Sequence, residues 1–499
     1  MARPDTFLDG SLPFFEIAVV TADRKKSLAK LLRSIQSELA AFGYPSEKVR
    51  VHLFNDGKSA LDGFDMGGMA YVVKVWEVRD QIAFIREHYN IAAIAGFSHG
   101  YVHGFPKDTP GVPPIFHRGS TMTANVAKMI LAKFGDSQDL VWFLDDDEEF
   151  AILHKDVSRF NIIPHAFSAF HAYAYAFRDA STNIATGKCV GDPPFSSNQF
   201  IRTTIFDRAM GAVVESKNGD YYNEHLAYLD VDLIPRSATS ELYDTGYPSL
   251  PYYENGVLSH HPIHTVLFGH AISRPITYHP KRYGCTTWGD IDRNLGETKF
   301  LYPGNIVYRR NKLGLLCPFA DKKLRMNGAV FGHFLADAGE IVKAVFIPIF
   351  HRRLPDVFDP YSEFRVGVED YGGITDISGS WIKQMEGYVL LEIFRDSANF
   401  TNGTSATVDR SFKRVSDVHG QNLAKISEIV SLLRGRAADM ADSSLRYLLD
   451  SIELSIHKMG PLDKERIRND MDVISRDLKA VKNCFDQFRQ IVSSGLFRN

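Results

Sequence analysis

An apolar segment, Leu140-Val141-Trp142-Phe143-Leu144, runs directly into Asp145-Asp146-Asp147. A short apolar run carrying two aromatic residues predicts a buried strand. Three adjacent carboxylates resist desolvation, because each disfavours the ionised form of its neighbours. The strand must therefore end where that charge can be balanced. In open α/β sheets, ligands bind outside the carboxyl ends of the strands. Mg²⁺ and Mn²⁺ take oxygen ligands and bridge to phosphates. A strand ending in Asp-x-Asp is thus a candidate site for a metal-bound nucleoside diphosphate. The same residues also fit an acidic loop that caps a following helix, since Glu148 and Glu149 come next.

The residues before this point alternate between two periodicities. Phe14-Phe15-Glu16-Ile17-Ala18-Val19-Val20-Thr21 reads as a buried strand, Ala22-Asp23-Arg24-Lys25 as a polar turn, and Ser27 to Phe42 as an amphipathic helix through Leu28, Leu31, Leu32, Ile35 and Leu39. Val49 to Phe54 is a second strand ending in Asn55-Asp56-Gly57. A helix from about Glu77 to Glu87 leads to a third short strand, Ile91 to Ala95. Arg118-Gly119-Ser120 then opens a helix containing Asn125, Ala127 and Met129. Such alternation predicts βαβ units and a parallel sheet covered by helices. The polar ends of these strands, Thr21 to Arg24, Asn55-Asp56 and the triple Asp, are expected to line one crevice.

With these pieces in order, residues 14–150 resemble the GT-A glycosyltransferases, especially family 2 and its relatives. The matching segments are AVVTADRKKSLAKLLRSI, VHLFNDGKSA, HRGSTMTANVAKMILAKF and VWFLDDDEEF. The resemblance implies an α/β fold of GT-A type: a Rossmann-like mixed sheet with helices on both faces. It implies that Thr21, Asp23, Arg24, Asp56, Arg118, Asn125, Asp145 and Asp146 face a nucleoside diphosphate sugar. Asp147 is the expected direct ligand of Mn²⁺ or Mg²⁺, with Asp145 on the ribose or a metal-bound water. Where the family usually has two aspartates after the second strand, this chain has Asn55-Asp56, which leaves only Asp56 for that part.

Composition fits this reading. Hydrophobic residues make up 44% and charged residues 23% of the 499 positions, as in ordinary soluble proteins. A net charge of −3 gives no electrostatic argument for nucleic acid. Cys189, Cys285, Cys317 and Cys484 lie far apart without metal-ligand spacing, which suits a reducing compartment. No signal core or run of 18 apolar residues is present, so a cytoplasmic protein without a membrane span is expected. The sequons at Asn399 and Asn402 then read as chance matches.

Residues 151–400 are expected to form the acceptor-binding half of the same domain, after a nucleotide-sugar-binding half at 1–150. Gly187 to Pro194 reads as a strand running into a rigid turn. Residues 221–290 are dense in Tyr, His, Pro and Asp, which suits sugar or polyol recognition. The histidines there lack a helix to present them as a zinc pair. Ile341 to Phe350 is an apolar strand ending in His351-Arg352-Arg353. Many GT-A enzymes place a His after the last strand of the sheet. By that resemblance His351 completes the metal shell, and Arg352 and Arg353 clamp the diphosphate. Pro303 to Arg309 resembles the Gly-rich segment near the donor sugar. The acidic pair that supplies the base in inverting members is missing from Arg325 to Gly332. Asp192, Glu254 and Asp290 are the candidate replacements, and the stereochemical outcome stays open.

The last hundred residues change character. Leu423, Ile426, Val430 and Leu433, and then Ile467, Met471, Ile474, Leu478, Val481, Phe485, Phe488 and Val492, keep heptad spacing. A helical C-terminal domain is expected at 405–499, as a bundle packed on its own chain or as a homodimer interface. The whole sequence reads as a metal-dependent hexosyltransferase that moves a sugar from a nucleoside diphosphate to an acceptor hydroxyl. Two alternatives remain. One is a sugar-nucleotide-forming nucleotidyltransferase, against which Thr21-Ala22-Asp23-Arg24 lacks a glycine-rich loop. The other is a non-catalytic scaffold acting through the tail.

Overall fold

Phe15, Ile17, Ala18 and Val19 have no exposed surface, so the first strand lies in the middle of the sheet. The computed structural model describes residues 12–89 apart from 58, 62 and 66, then 120–134, 139–156, 159–165, 168–190, 249–254, 257–262, 296–298, 304–315, 338–351 and 409–417, with scattered positions elsewhere. In chain order the elements are β1 (Phe15–Thr21), α1 (Lys25–Phe42), β2 (Val49–Asn55), β3 (Val72–Trp76), α2 (Val78–His88), α3 (Ser120–Leu131), β4 (Leu140–Asp145) and β5 (Glu148–Glu149). There follow β6 (Ala151–Asp156), β7 (Arg159–Pro164), α4 (Ala169–Ala176), β8 (Ile184–Val190), β9 (Ser249–Glu254), β10 (Val257–Pro262), β11 (Gly296–Glu297), β12 (Asn305–Arg309) and β13 (Val342–His351).

One mixed sheet runs β11-β13-β8-β12-β4-β1-β2-β3, with β5 added against the end of β13. Strands β3, β2, β1 and β4 are parallel. Strand β12 runs antiparallel to both neighbours, β4 and β8, and β8 is parallel to β13. This is the mixed α/β sheet expected, with helices alternating between its parallel strands. Two hairpins, β6–β7 and β9–β10, stand outside the sheet. The third parallel strand described is β3, which the sequence reading passed over; the expected strand Ile91–Ala95 lies outside the described residues. Residues Asn305–Arg309 of the segment expected near the donor sugar form β12, inside the sheet. Helix is described at 409–417 and at scattered positions as far as 465; the arrangement of the expected C-terminal bundle lies outside the described residues. Among the described residues no helix is long and apolar enough to cross a membrane.

Helix α1 follows from its pattern. Leu28, Leu31, Leu32, Ile35 and Leu39 are buried on one stripe, the spacing that turns an amphipathic helix toward a core. Gly43 ends it in the left-handed region at φ 65°, its N–H donating to the Leu39 carbonyl, a conformation glycine adopts without steric cost. Beneath lies an aromatic core in which Trp142 meets Tyr173 edge-on at 4.7 Å and Phe15 meets Phe170 at 5.2 Å.

A single buried amide ties this core across the sheet. Asn305 Oδ1 accepts from Trp142 Nε1 at 3.0 Å and from the Tyr173 hydroxyl at 2.7 Å, and Asn305 Nδ2 donates to the Ile347 carbonyl at 3.0 Å. It thereby joins β12 to β4, α4 and β13. Room for it exists because residue 187 is glycine: a Cβ there would stand 2.2 Å from Asn305 Nδ2 and 2.6 Å from the Tyr173 hydroxyl. At the amino ends of β1 and β2 lies a second polar cluster. Trp76 Nε1 donates to His52 Nδ1 at 3.1 Å, which leaves the proton of the neutral ring on Nε2, facing Glu16. Burial holds His52 below its usual pKa. Burial also opposes the charge of Glu16, but His52, Arg310 and Arg50 together keep its carboxyl below the ordinary range.

Asn305→Ala would strand the Trp142 N–H and the Ile347 carbonyl in a dry core, and each orphaned group costs about 1–3 kcal/mol. Gly187→Ala forces the same amide aside, with overpacking on the order of 2 kcal/mol. Both should lower the urea midpoint. The double variant should lose less than the sum of the two single losses, because both act through one amide.

Candidate active site at the carboxyl ends of β1, β2 and β4

The register of the central strands decides what meets what. Val20 stands beside Asp145 and Thr21 beside Asn55, so the three polar strand ends expected from sequence arrive at one edge. Asp146 is buried, and its carboxylate turns across to the loop after β1. Its Oδ2 accepts from Thr21 Oγ1 at 2.8 Å and from the Ala22 N–H at 3.3 Å, and its Oδ1 from Arg24 Nη1 at 3.1 Å. The same Arg24 nitrogen reaches Asp147 Oδ2 at 2.7 Å. One guanidinium thus bridges two carboxylates. Burial raises the Asp146 carboxyl to about 6, with Asp147 and Asp145 pushing the same way against Arg24 and Thr21. Burial opposes the charge of Arg24, yet Asp146 and Asp147 raise its pKa above the ordinary value.

The acidic run continues differently from a helix cap. Glu148 Oε2 accepts from the Asp145 N–H at 2.9 Å and closes the turn. Glu148 and Glu149 then form β5, which pairs antiparallel with the end of β13. No helix follows, so the helix-cap reading of these residues is set aside: the backbone after Asp147 is claimed by β13. In that pairing His351 is the register partner of Glu148, one residue beyond Asp147. The backbone of His351 is therefore placed beside the triple Asp, while its side chain lies outside the described residues.

The rim at the carboxyl ends of β1 and β2 is built by two interlocked loops. The Asp56 N–H donates to the Thr21 carbonyl at 2.7 Å, and Asp23 Oδ1 accepts from the Ser59 N–H at 2.9 Å. Asp23 sits at φ 59°, in the left-handed region; a non-glycine residue held there costs on the order of 1 kcal/mol or more and persists only when its surroundings fix it. Gly57 allows the contact, since a Cβ there would stand 2.7 Å from Asp23 Oδ1 and 2.8 Å from its nitrogen. Asn55 is turned inward: its amide donates to the Ser59 carbonyl and to Glu77 Oε2 and accepts from the Gly57 N–H. Asn55 therefore organises the loop, and Asp56 remains the acidic group at this strand end.

Of the other residues expected from sequence, Asn125 is buried on α3 at 2% exposure. Glu254 ends β9 within the separate β9–β10 hairpin, opposite Val257, and its side chain lies outside the described residues. Asp192, Asp290, Arg118, Arg352 and Arg353 also lie outside them. Sequence reasoning missed the bridging position of Arg24, the turn-closing role of Glu148, and the Asn55–Glu77 lock. The first had a signal: a basic residue three positions past a buried strand end, at the N-cap of α1, where the helix dipole disfavours a cation.

Among the described residues, no three His, Cys, Asp or Glu side chains form a group arranged to hold an ion. Asp145 and Asp147 are described, and the third member of the expected set is His351. Carboxylate oxygens with one imidazole suit Mn²⁺ or Mg²⁺. In chemistry, the residues present fit a divalent cation.

No family model matches the sequence, and no curated protein matches it. Among solved structures, the chain is similar to the mannosyltransferase PcManGT from Pyrobaculum calidifontis in complex with GDP-Man and Mn²⁺, at 12% identity and TM-score 0.34, covering 96% of this chain and 88% of that one. It is also similar to S. aureus TarS, at 11% identity and TM-score 0.31, covering 89% of this chain and 53% of TarS. For TarS 1-349 in complex with UDP-GlcNAc the values are 12% identity and TM-score 0.30, with coverage of 97% and 91%.

The carboxyl of Asp146 gives a pH dependence. Between about pH 4 and 6 the folded chain holds a proton there that the unfolded chain has released, so its contribution to stability falls as the pH rises through that window. Asp146→Asn does not titrate. Urea denaturation of both proteins from pH 4 to pH 6.5 should show the wild type losing ground against the variant, by on the order of 2 kcal/mol across the window. A constant difference across it would remove the raised carboxyl.

Proposed function

We propose that the chain is a glycosyltransferase that takes a nucleoside diphosphate sugar and a divalent cation, Mn²⁺ or Mg²⁺, at the carboxyl ends of β1, β2 and β4. The observation that carries this reading is the cluster itself. Asp146 is held by Thr21, Ala22 and Arg24, and Asp147 by Arg24, next to Asp145 at the edge where Asp23 and Asp56 also stand, with the backbone of His351 in register alongside. Asp147, Asp145 and His351 would hold the cation, which when bound supplies electrostatic stabilisation to a departing diphosphate. Thr21, Asp23 and Asp56 would receive the base and ribose. Arg118, Arg352 and Arg353 would meet the phosphates.

An acceptor hydroxyl would attack the anomeric carbon and lose its proton to a carboxylate, for which Asp192, Glu254 and Asp290 remain the candidates. A separate proposal concerns the tail, where the apolar seam from Ile467 to Val492 supports a homodimer, since large apolar anchors such as Phe485 and Phe488 are typical of interface cores.

The test is release of nucleoside diphosphate from UDP- and GDP-sugars by the full chain with Mn²⁺, with and without chelator. Turnover that stops on chelation is expected. Asp147→Ala should reduce it by roughly 100-fold or more while the melting curve stays cooperative. Chelator-resistant turnover would sink the metal assignment. Binding of a sugar nucleotide without any turnover would instead favour a scaffold.

A further inference from the structure

Arg24 is unusual among the groups at this site. Its Nη1 stands 3.1 Å from Asp146 Oδ1 and 2.7 Å from Asp147 Oδ2, the bridging position a small cation takes between two carboxylates. It holds that position although it caps the positive end of α1, where a cation is disfavoured. Its side chain is 55% exposed, against 5% and 8% for the two aspartates. The carboxylates are therefore fixed by the fold, whereas the guanidinium reaches them from solvent on a long, flexible stem.

From this we infer that Arg24, held between Asp146 and Asp147, is a built-in counter-cation that competes with the divalent ion for Asp147, so that a metal enters by displacing the guanidinium. The inference rests on the proposed metal site. Asp147 Oδ2 already faces the Arg24 guanidinium at 2.7 Å, so a cation taken up on that carboxylate would meet a second positive charge. Two cations held about 4 Å apart repel strongly in a half-buried site. Released from the aspartates, Arg24 stays at the rim of the site, within one side chain's reach of an anionic ligand. The guanidinium thus offsets part of the acidic charge until metal arrives, and it sets how much metal is needed.

The experiment measures metal binding without turnover. Free Mn²⁺ is followed by electron paramagnetic resonance during titration of the full chain, of Arg24→Gln and of Arg24→Lys, and each melting curve is recorded with and without Mn²⁺. Arg24→Gln should bind Mn²⁺ roughly tenfold or more tightly than wild type, with Arg24→Lys in between. It should melt lower than wild type without Mn²⁺ and regain the loss when Mn²⁺ is added. A merely structural arginine predicts the opposite: a loss that Mn²⁺ leaves in place.

Equal or weaker Mn²⁺ binding by Arg24→Gln overturns the competition. If Asp147→Asn abolishes Mn²⁺ binding at the same time, the metal site itself still stands. Should none of the proteins bind Mn²⁺, the metal site fails and the inference fails with it. If Arg24→Gln does not fold in either condition, the affinity of Arg24→Lys relative to wild type decides, and affinity no tighter than wild type counts against the competition.

Discussion

The amide of Asn305 is the interaction on which the rest of the sheet depends. Strand β12 brings it between β4 and β8, where it is wholly buried. Its bonds to Trp142, Tyr173 and Ile347 fix β4, α4 and β13 relative to each other. A buried amide tolerates little displacement, because every unmade bond costs desolvation without return. Asn305 is also the register partner of Leu144, one residue before the acidic run. The end of β13, which carries His351, is thus set against Glu148 by a sheet whose centre is held by polar bonds of fixed direction as well as by apolar contact.

The two ends of β1 solve the same electrostatic problem in different ways. At the amino end, the charge of buried Glu16 is balanced by Arg50 and Arg310, with the neutral His52 ring donating to it. At the carboxyl end, Asp146 and Asp147 are balanced in part by a half-exposed arginine, and the Asp146 carboxyl is pushed up to about 6. Buried and poorly compensated charge of this kind clusters at functional sites.

Much of this was legible in the sequence because β1, β2 and β4 are buried on both faces and read as continuous apolar runs, and because α1 carries a clean helical stripe. The site was legible as far as it lies on those strand ends. Strand β3 escaped because Val72-Val73-Lys74-Val75-Trp76 is a partly exposed edge, short and preceded by turn residues. Strand β12 escaped because its neighbours, β4 and β8, are distant in sequence and its antiparallel insertion leaves no local signature. The turn at Glu148 was hidden by its composition: acidic residues after an acidic run suggest a helix start, and only the pairing with β13 makes them a strand. The reach of Arg24 depends on the rotation of α1 relative to β4, which no local pattern encodes.

The contact between Asp23 and Gly57 makes the loops after β1 and β2 one body. A ligand docking on this rim meets loops already held in their working shape, so little conformational entropy is lost on binding. The left-handed backbone of Asp23, the missing side chain at residue 57 and the bond to Ser59 are mutually dependent. A change in what the rim recognises therefore requires coordinated replacement across both loops, and single exchanges at Asp23 or Gly57 spend their effect on loosening the rim.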